Sequence, residues 1–380
     1  MNLDALPDLI GDARVVAIGE SAHHVPDYQR LRHRLLRLLV ERTGFTVFAL
    51  ESGFSEGLAV DAWIHGGPGE LSEVAERGLT YSFGRSREMR DQLAWMRAVN
   101  DSGGDLSYTG LDLPGGLASM LPALDGLGGY LPGVDPEGTA LLAAIRSEAE
   151  KYAGPHTMPA FADYQAMDPA DRDRLTVLLA ELAARFDTLR PFYVRQDGPG
   201  HYATARHELR LAVLLDQALR AQSAGRAAVN VRDAALAETA SWLLGRGTSR
   251  IVIGAANSHL QRVPLTAGSL RLPVLGQFLA DALGDDYVAI ALTSASGQTV
   301  TRRAAPDAPG GVETAVVELG PPAEGSVEAA YGPGVTDLRP LRGAAGAAAP
   351  SRIRLLDTYA EVPVLDAFDA VVCLPVTLGG

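Results

Sequence analysis

Val15-Val16-Ala17-Ile18-Gly19-Glu20-Ser21-Ala22-His23-His24 is the stretch around which the rest of the chain is organised. Its first four residues form a short apolar run between Asp12 and Gly19, which predicts a buried strand. A helical pattern follows over 26–41. Glu20 and His23 lie between the two, at the carboxyl end of the strand, where open α/β sheets place their ligand sites. The alternative is a helix-capping turn with solvent-exposed histidines.

The same arrangement recurs later in the chain. The next two predicted strands end at Glu51 and at Asp112, and a later strand leads to Asn257 and His259. The carboxyl ends of parallel strands meet at one edge of a sheet. We therefore expect these side chains to converge on Glu20.

Alternating strand and helix patterns predict an α/β fold with a central mixed β-sheet flanked by helices. Residues 1–114 and 246–380 build the α/β core. Residues 115–245 form a mostly helical insertion that caps the active-site cleft, interrupted by a loop at 197–200. The predicted strands are 15–18, 46–50, 106–111, 250–254, 287–292, 314–319, 352–355 and 367–374. The predicted helices are 26–41, 55–64, 87–99, 117–131, 139–152, 169–189, 203–223, 231–244 and 275–283.

Composition indicates a globular protein and excludes several partners. The 380 residues are 47% hydrophobic and 21% charged, with a formal net charge of -13. An acidic chain is not attracted to nucleic acid or to an anionic membrane surface. We find neither a signal-peptide pattern nor an apolar run long enough to span a bilayer. We therefore expect a cytoplasmic protein with a small-molecule substrate; its oligomeric state stays open.

A histidine beside a carboxylate is a common general acid–base pair that can activate a water molecule. A neighbouring Glu fixes the tautomer of the imidazole and stabilises the imidazolium. His23 with Glu20 or Glu51 fits this role. His259 could bind a substrate oxygen or protonate a leaving group, and Arg232 could stabilise an oxyanion.

Each of these residues also has an ordinary structural interpretation, or a different chemical one. Arg232 and Asp233 could be a surface pair at a helix start, and Asp112 could only close a turn before Pro114. A zinc or manganese set is conceivable too, composed of Glu20, His23, Glu51 and His259. There is no HExxH motif and no Asp-rich cluster, so we expect no metal.

Other catalytic classes lack their signatures. The chain has no GxSxG elbow, no phosphate-binding P-loop and no Rossmann fingerprint, so we expect no cofactor. Cys373 is the single cysteine, lies in a strand-like run and has no histidine in its neighbourhood. It cannot form an internal disulfide, and a buried structural role is expected.

Several motifs occur together in one order. They are Gly19-Glu20-x-x-His23, Leu50-Glu51, EMRDQLAWMRAVN over 88–100, Gly110-x-Asp112, Asn230-x-Arg232-Asp233 with Ala237-Glu238, Asn257-x-His259 and Phe368-Asp369-Ala370. In this series the chain resembles the erythromycin esterase family. The likeness spans nearly the whole chain and is weakest across 115–200 and 300–360.

The resemblance implies a metal-independent hydrolase that opens macrolide lactones by adding water. It makes His23 the general base, with Glu20 and Glu51 holding the imidazole and the water. It also implies that Arg232 and His259 bind and polarise the ester. The residues that we expect to contact the substrate are His24, Asp112, Asn257 and Asp233.

Two residues depart from the family pattern. The family usually reads His-Asn-x-His, and this chain has Ala256 in place of the first histidine. It also has His24 where a glycine is common. Losing a histidine removes a potential proton donor or substrate ligand, which His24 could replace from the opposite side of the cleft.

Three functions are therefore compared. The leading hypothesis is an esterase or lactonase that acts on a macrolide or a related natural product. The second is a biosynthetic tailoring enzyme that uses the same His/Glu site for elimination, cyclisation or acyl transfer, which the departure at Ala256 favours. The third is a non-catalytic protein that sequesters a hydrophobic compound; retention of His23 and His259 argues against it.

Overall fold

A computed structural model describes residue 3 and residues 6–226, 228–247, 249–305, 307–308, 311–343 and 349–379. The strands are β1 (Val15–Ile18), β2 (Val47–Gly53), β3 (Ser107–Asp112), β4 (Ile251–Gly254), β5 (Leu265–Ala267), β6 (Leu270–Leu272), β7 (Tyr287–Ser294), β8 (Gln298–Ala304), β9 (Val312–Glu318), β10 (Gly334–Asp337), β11 (Arg352–Leu355), β12 (Thr358–Glu361) and β13 (Ala370–Leu374). The helices are α1 (Leu6–Ile10), α2 (Pro26–Thr43), α3 (Phe54–Ile64), α4 (Leu71–Gly78), α5 (Arg87–Asp101), α6 (Leu121–Val134), α7 (Pro136–Ala149), α8 (Thr157–Ala166), α9 (Pro169–Ser223), α10 (Val231–Leu244), α11 (Asn257–Leu260), α12 (Leu275–Leu283), α13 (Val327–Tyr331) and α14 (Val364–Ala367).

A seven-stranded sheet with the order β10-β13-β7-β1-β4-β2-β3 forms the centre of the fold. Its neighbouring strands run parallel except for β10, which is antiparallel to β13. The predicted α/β fold with a mixed central sheet is thus confirmed. Both ends of the chain contribute strands, because β7 and β13 lie on one side of β1 and β2 and β3 on the other.

Strand β1 is apolar throughout because both of its faces are covered. Val16 and Ile18 pack into the hydrophobic cluster on one face of the sheet. Val15 and Ala17 pack into the cluster on the other face. Central strands of parallel sheets are buried on both sides, which explains a continuous apolar run in place of alternation.

The helices between β3 and β4 form a third hydrophobic cluster, to which α6, α7 and α9 all contribute. Helix α9 is one continuous element except at Gly198, whose φ of 84° reverses the chain direction. Its two arms then run side by side, as the hydrogen bond from Thr176 Oγ1 to Asp216 Oδ2 at 2.5 Å indicates. The loop predicted at 197–200 is therefore a tight break between antiparallel helices. Our division of the chain at residues 114 and 246 stays a prediction.

The sequence analysis did not predict several short elements with little periodicity. They are α1, α4, α8, α11, α13, the hairpin β5–β6 and the strands β8, β10 and β12. The strands predicted at 314–319 and 352–355 correspond to β9 and β11. The strand predicted over 367–374 begins later, since 364–367 is the short helix α14. Cys373 is buried in β13, as expected. Within the described ranges, no helix is long and apolar enough to cross a membrane.

The side chain of Asn257, at the start of α11, connects the end of β1 to β7 by hydrogen bonds. Its amide donates to the Leu292 carbonyl at 2.9 Å and to Ser21 Oγ at 3.3 Å. Its Oδ1 accepts from the Leu292 backbone N–H at 3.3 Å. This amide group lies against Gly19, where an added Cβ would be 1.9 Å from Asn257 Oδ1.

We predict that Gly19→Ala destabilises the protein by roughly 2 kcal/mol, because the extra methyl group displaces the Asn257 amide from its partners. Urea unfolding of the two proteins measures this difference. Gly129→Ala is the control, since Gly129 lies in α6 with no atom within 4 Å of an added Cβ. Equal stability of the Gly19 variant and the wild type would contradict a stabilising role for the Asn257 hydrogen bonds.

Candidate active site

The carboxyl ends of four neighbouring strands, β1, β4, β2 and β3, bring the polar residues together. Glu20 follows β1, Glu51 lies in β2, and Asp112 ends β3. His259 lies on α11, directly after β4. The chain direction in a parallel sheet thus explains why residues far apart in sequence share one cleft.

Glu51 is contacted by several side chains of the site. Its Oε1 lies 2.8 Å from Arg232 Nη2, 3.3 Å from His259 Nε2 and 3.8 Å from His23 Nε2. Its Oε2 accepts the backbone N–H of Ala256 at 2.8 Å. Both carboxylate oxygens are therefore held by groups from different elements.

Glu51 stays ionised although it is buried. Burial by itself raises the pKa of a carboxyl group. Here the positive charges of His259, His23 and Arg232 outweigh burial and hold the pKa of Glu51 well below its usual value. The site thus contains a fixed negative charge between two imidazoles.

His23 is oriented by Glu20 and, through it, by Arg32. His23 Nδ1 is 2.7 Å from Glu20 Oε1, and Arg32 Nη1 donates to Glu20 Oε2 at 2.8 Å. Burial raises the pKa of Glu20, but Arg32 and His23 lower it by a larger amount, so that the pKa lies below its usual value. An ionised carboxylate only accepts hydrogen bonds, so His23 Nδ1 is the donor to Glu20 and Nε2 is the ring nitrogen that faces Glu51.

His259 lies between two carboxylates. Its Nδ1 is 2.7 Å from Asp233 Oδ1 and its Nε2 faces Glu51. Burial favours the neutral ring, but these two carboxylates raise the pKa of His259 to about 10. Asp233 is itself fixed, since its Oδ1 also accepts the Leu275 backbone N–H at 2.9 Å. His259 is therefore an imidazolium near neutral pH.

Arg232 reaches the site from α10. Its Nε and Nη2 donate to Asp112, with the shortest N···O distance at 2.6 Å, and Nη2 also donates to Glu51. Its Nη1 lies 3.3 Å from His259 Nε2, and a protonated imidazole cannot accept a hydrogen bond from it. The N–H groups of Nη1 therefore remain available to a ligand. The Arg232 side chain is 22% exposed, so that a ligand can reach it.

Two residues of the site, Tyr81 and Arg32, were missed by the sequence analysis. The Tyr81 hydroxyl donates to Asp112 Oδ2 at 2.9 Å and accepts from Arg232 Nη2 at 3.2 Å. Its loop carries no sequence signal. Arg32 did have one, because it occupies the buried stripe of α2 between Tyr28 and Leu35, where an unpaired charge is not tolerated.

The remaining predicted residues lie at different depths. His24 is at the edge of the site, in a left-handed conformation with φ 63°. Burial and the charge of His23 lower the pKa of His24 to about 4. Asp112 and Asp233 lie beneath the open part of the cleft, paired with Arg232 and His259. Asn257 lies behind Gly19 and does not join this group.

The arrangement combines an imidazole lone pair with two cationic donors. Within the described residues, no group of three or more His, Cys, Asp or Glu side chains is placed to hold a metal ion. Nε2 of His23 can accept a proton from water, and Arg232 Nη1 with His259 Nε2 can bind a developing negative charge. Together these groups are suited to the addition of water to a polarised carbonyl.

Comparisons with known proteins agree with the geometry. Residues 40–377 match the family described as erythromycin esterase. The chain is 30% identical to erythromycin esterase type II of Escherichia coli over 388 residues, covering 96% of this chain and 90% of that protein. It is 26% identical to the type I enzyme of Escherichia coli, covering 98% of this chain and 92% of that protein. A mutant of erythromycin esterase EreC in its open conformation superposes with a TM-score of 0.84 at 23% identity, covering 98% and 93% of the two chains.

We predict that the imidazole of His259 stays protonated at pH 8, because Glu51 and Asp233 both hold the proton. An NMR titration of the ring nitrogens measures this directly. Asp233→Asn removes one carboxylate and should move the transition of His259 to lower pH. A ring that loses its proton near pH 6.5, the ordinary value, would contradict the assignment.

The same pKa shift has a consequence for stability. A group whose pKa is raised in the folded state contributes stability that is complete below its unfolded value of 6.5 and is lost as the pH rises through about 10. The free energy of unfolding of the wild type should thus fall between these values relative to His259→Gln.

Proposed function

We propose that this chain, which belongs to the erythromycin esterase family, hydrolyses the lactone or ester of a macrolide or a related natural product with a water molecule that His23 activates. The observation that supports this most is the pair of nitrogens at Glu51. His23 Nε2 and His259 Nε2 lie 3.8 and 3.3 Å from the same carboxylate oxygen. One ring offers a lone pair and the other a proton, on the two sides of one anion.

The first step is the activation of water. A water molecule between His23 Nε2 and Glu51 Oε1 would donate one hydrogen atom to each of them. As its oxygen attacks the ester carbonyl carbon, its proton moves to Nε2, and Glu20 stabilises the imidazolium that forms. Arg32 keeps Glu20 in place for this role.

The second requirement is a partner for the carbonyl oxygen. Attack converts this oxygen into an oxyanion, which needs donors that are already in position. Arg232 Nη1 and His259 Nε2 lie 3.3 Å apart and are the available cationic donors. We assign the polarisation of the ester to these two groups.

The tetrahedral intermediate then collapses. The bond between the carbonyl carbon and the ring oxygen breaks, the carbonyl re-forms, and the leaving alkoxide takes the proton from the His23 imidazolium. The products are a carboxylic acid and a hydroxyl group, which together contain the atoms of the ester and one water molecule. His23 returns to its neutral state.

His24 contributes to substrate binding in this proposal. Burial and the charge of His23 lower its pKa to about 4, which keeps the ring neutral. A neutral imidazole has one acceptor nitrogen, which is suited to a substrate hydroxyl group. It does not replace the proton donor that is missing at Ala256. Asp112 and Asp233 act through Arg232 and His259, and Asn257 supports the backbone.

A second candidate function rests on Ala256. A tailoring enzyme that performs elimination or cyclisation needs a base and a charged electrophilic group, and it has less need of a second histidine beside the ester. His23 could then remove a proton from a carbon or hydroxyl group of a biosynthetic intermediate. Mass spectrometry distinguishes this reaction from hydrolysis, because no oxygen from water enters the product.

We predict that erythromycin incubated with the protein in oxygen-18 water gains one labelled water molecule. His23→Ala should lower the rate by about two to four orders of magnitude, because the general base is lost. His201→Ala is the matched control, since this histidine lies on α9 with 74% of its side chain exposed. Intact erythromycin with folded wild type would refute hydrolysis of this substrate and favour the second candidate.

We predict that Ala256→His raises the rate of macrolide hydrolysis by about tenfold, since it restores a histidine that the family usually has beside Glu51. Ala256 is partly exposed, and its backbone N–H already bonds to Glu51. Ala256→Gln adds a side chain of comparable size without a titrating group and is the control. Steady-state kinetics of the three proteins gives the answer, and an equal gain from glutamine would disprove an acid–base role for the position.

A further inference from the structure

Left-handed backbone conformations cluster at the active site. His24, Tyr81 and Ser82 have φ values of 63°, 54° and 61°. Residues with side chains avoid this region, and the cost is tolerated where the surroundings hold the conformation for a purpose. The segment 80–83 is therefore held in place by specific contacts.

These contacts are visible on both sides of the segment. The Thr80 backbone N–H donates to Ser52 Oγ at 2.9 Å, and Thr80 Oγ1 accepts the Gly53 backbone N–H at 3.1 Å. Phe83 packs its ring edge against His23 with the ring centres 5.1 Å apart. The centre of the His24 ring lies 5.3 Å from the centre of the same Phe83 ring.

The Tyr81 side chain points inward from this anchored segment. Its hydroxyl lies between Asp112 Oδ2 and Arg232 Nη2, at 2.9 and 3.2 Å. The guanidinium carbon of Arg232 lies 5.5 Å from the centre of the Tyr81 ring. The ring also lies close to Gly116, where an added Cβ would be 3.1 Å from Tyr81 Cε1. Gly116 and Arg232 thus both limit the movement of the ring.

We propose that Tyr81 is a positioning residue that holds Arg232 so that Nη1 faces the ester, with the contacts of Thr80 and Phe83 holding the Tyr81 backbone. This inference rests on the proposed function and adds to it a residue that touches no reacting atom. Asp112 binds the Nε–Nη2 edge of the guanidinium, and Glu51 binds Nη2 as well. The Tyr81 hydroxyl is a third partner of Nη2, and the Tyr81 ring lies beside the guanidinium, so that together they restrict the remaining tilt of the group.

A double-mutant cycle tests the proposal. Tyr81→Phe should lower kcat for the labelled-water reaction about tenfold with KM within about twofold, because a hydrogen bond to a charged group is lost. In an Arg232→Lys background the same substitution should change kcat by less than about twofold, because lysine has no planar edge to position. Equal losses in both backgrounds would overturn the proposal.

A second readout does not depend on turnover. The Nε–H resonance of Arg232 should exchange faster with solvent in Tyr81→Phe than in the wild type, measured by nitrogen-15 NMR. Tyr152→Phe is the control, since the buried hydroxyl of Tyr152 has no hydrogen-bond partner among the described residues. Unchanged exchange in Tyr81→Phe would overturn the proposal even if hydrolysis is observed. Faster exchange without any hydrolysis would refute the proposed function and leave the positioning role standing.

Discussion

The rest of the site is arranged around the charge of one buried carboxylate, Glu51. It is 2% exposed and would be neutral in apolar surroundings, so cationic or polarisable groups must surround it. Arg232 and the two histidines meet this need from separate elements. Around them, the carboxylates of the site are Glu20, Glu51, Asp112 and Asp233, and the fixed cations are Arg32, Arg232 and His259.

The order of the strands makes this arrangement possible. The four residues at the carboxyl ends of β1, β4, β2 and β3 are Glu20, His259, Glu51 and Asp112. These strands are consecutive in the sheet although β4 comes much later in the chain. The backbone N–H of Asn257 donates to the Glu20 carbonyl at 3.0 Å, and that of Ala256 to Glu51. The start of α11 thus connects the two halves of the site. Core packing and catalytic geometry depend on the same strand ends.

The sequence predicted the parts of the fold and site that depend on local pattern. Apolar runs identified the central strands, and the acids at their ends identified Glu20, Glu51 and Asp112. It did not predict the pairing of Arg232 with Asp112, because a partner 120 positions away leaves no local signal. The edge strand β10 and the hairpin β5–β6 are short and partly exposed, so that neither a helical nor a strand period is visible in their sequences. Tyr81 lies in a loop whose left-handed conformation contradicts its local preference.

His23 and His259 each lie between two carboxylates, Glu20 and Glu51 for His23 and Asp233 and Glu51 for His259. Glu51 and Asp233 raise the pKa of His259 to about 10, which makes this residue a positive charge near neutral pH. Burial and the charge of His23 lower the pKa of His24 to about 4, so that His24 is neutral there. In the mechanism that we propose, the mobile proton therefore belongs to His23, which takes it from water and returns it to the leaving group. That mechanism also needs the positive charges of Arg232 and His259, and these two residues are held by hydrogen bonds to Asp112, Tyr81 and Asp233.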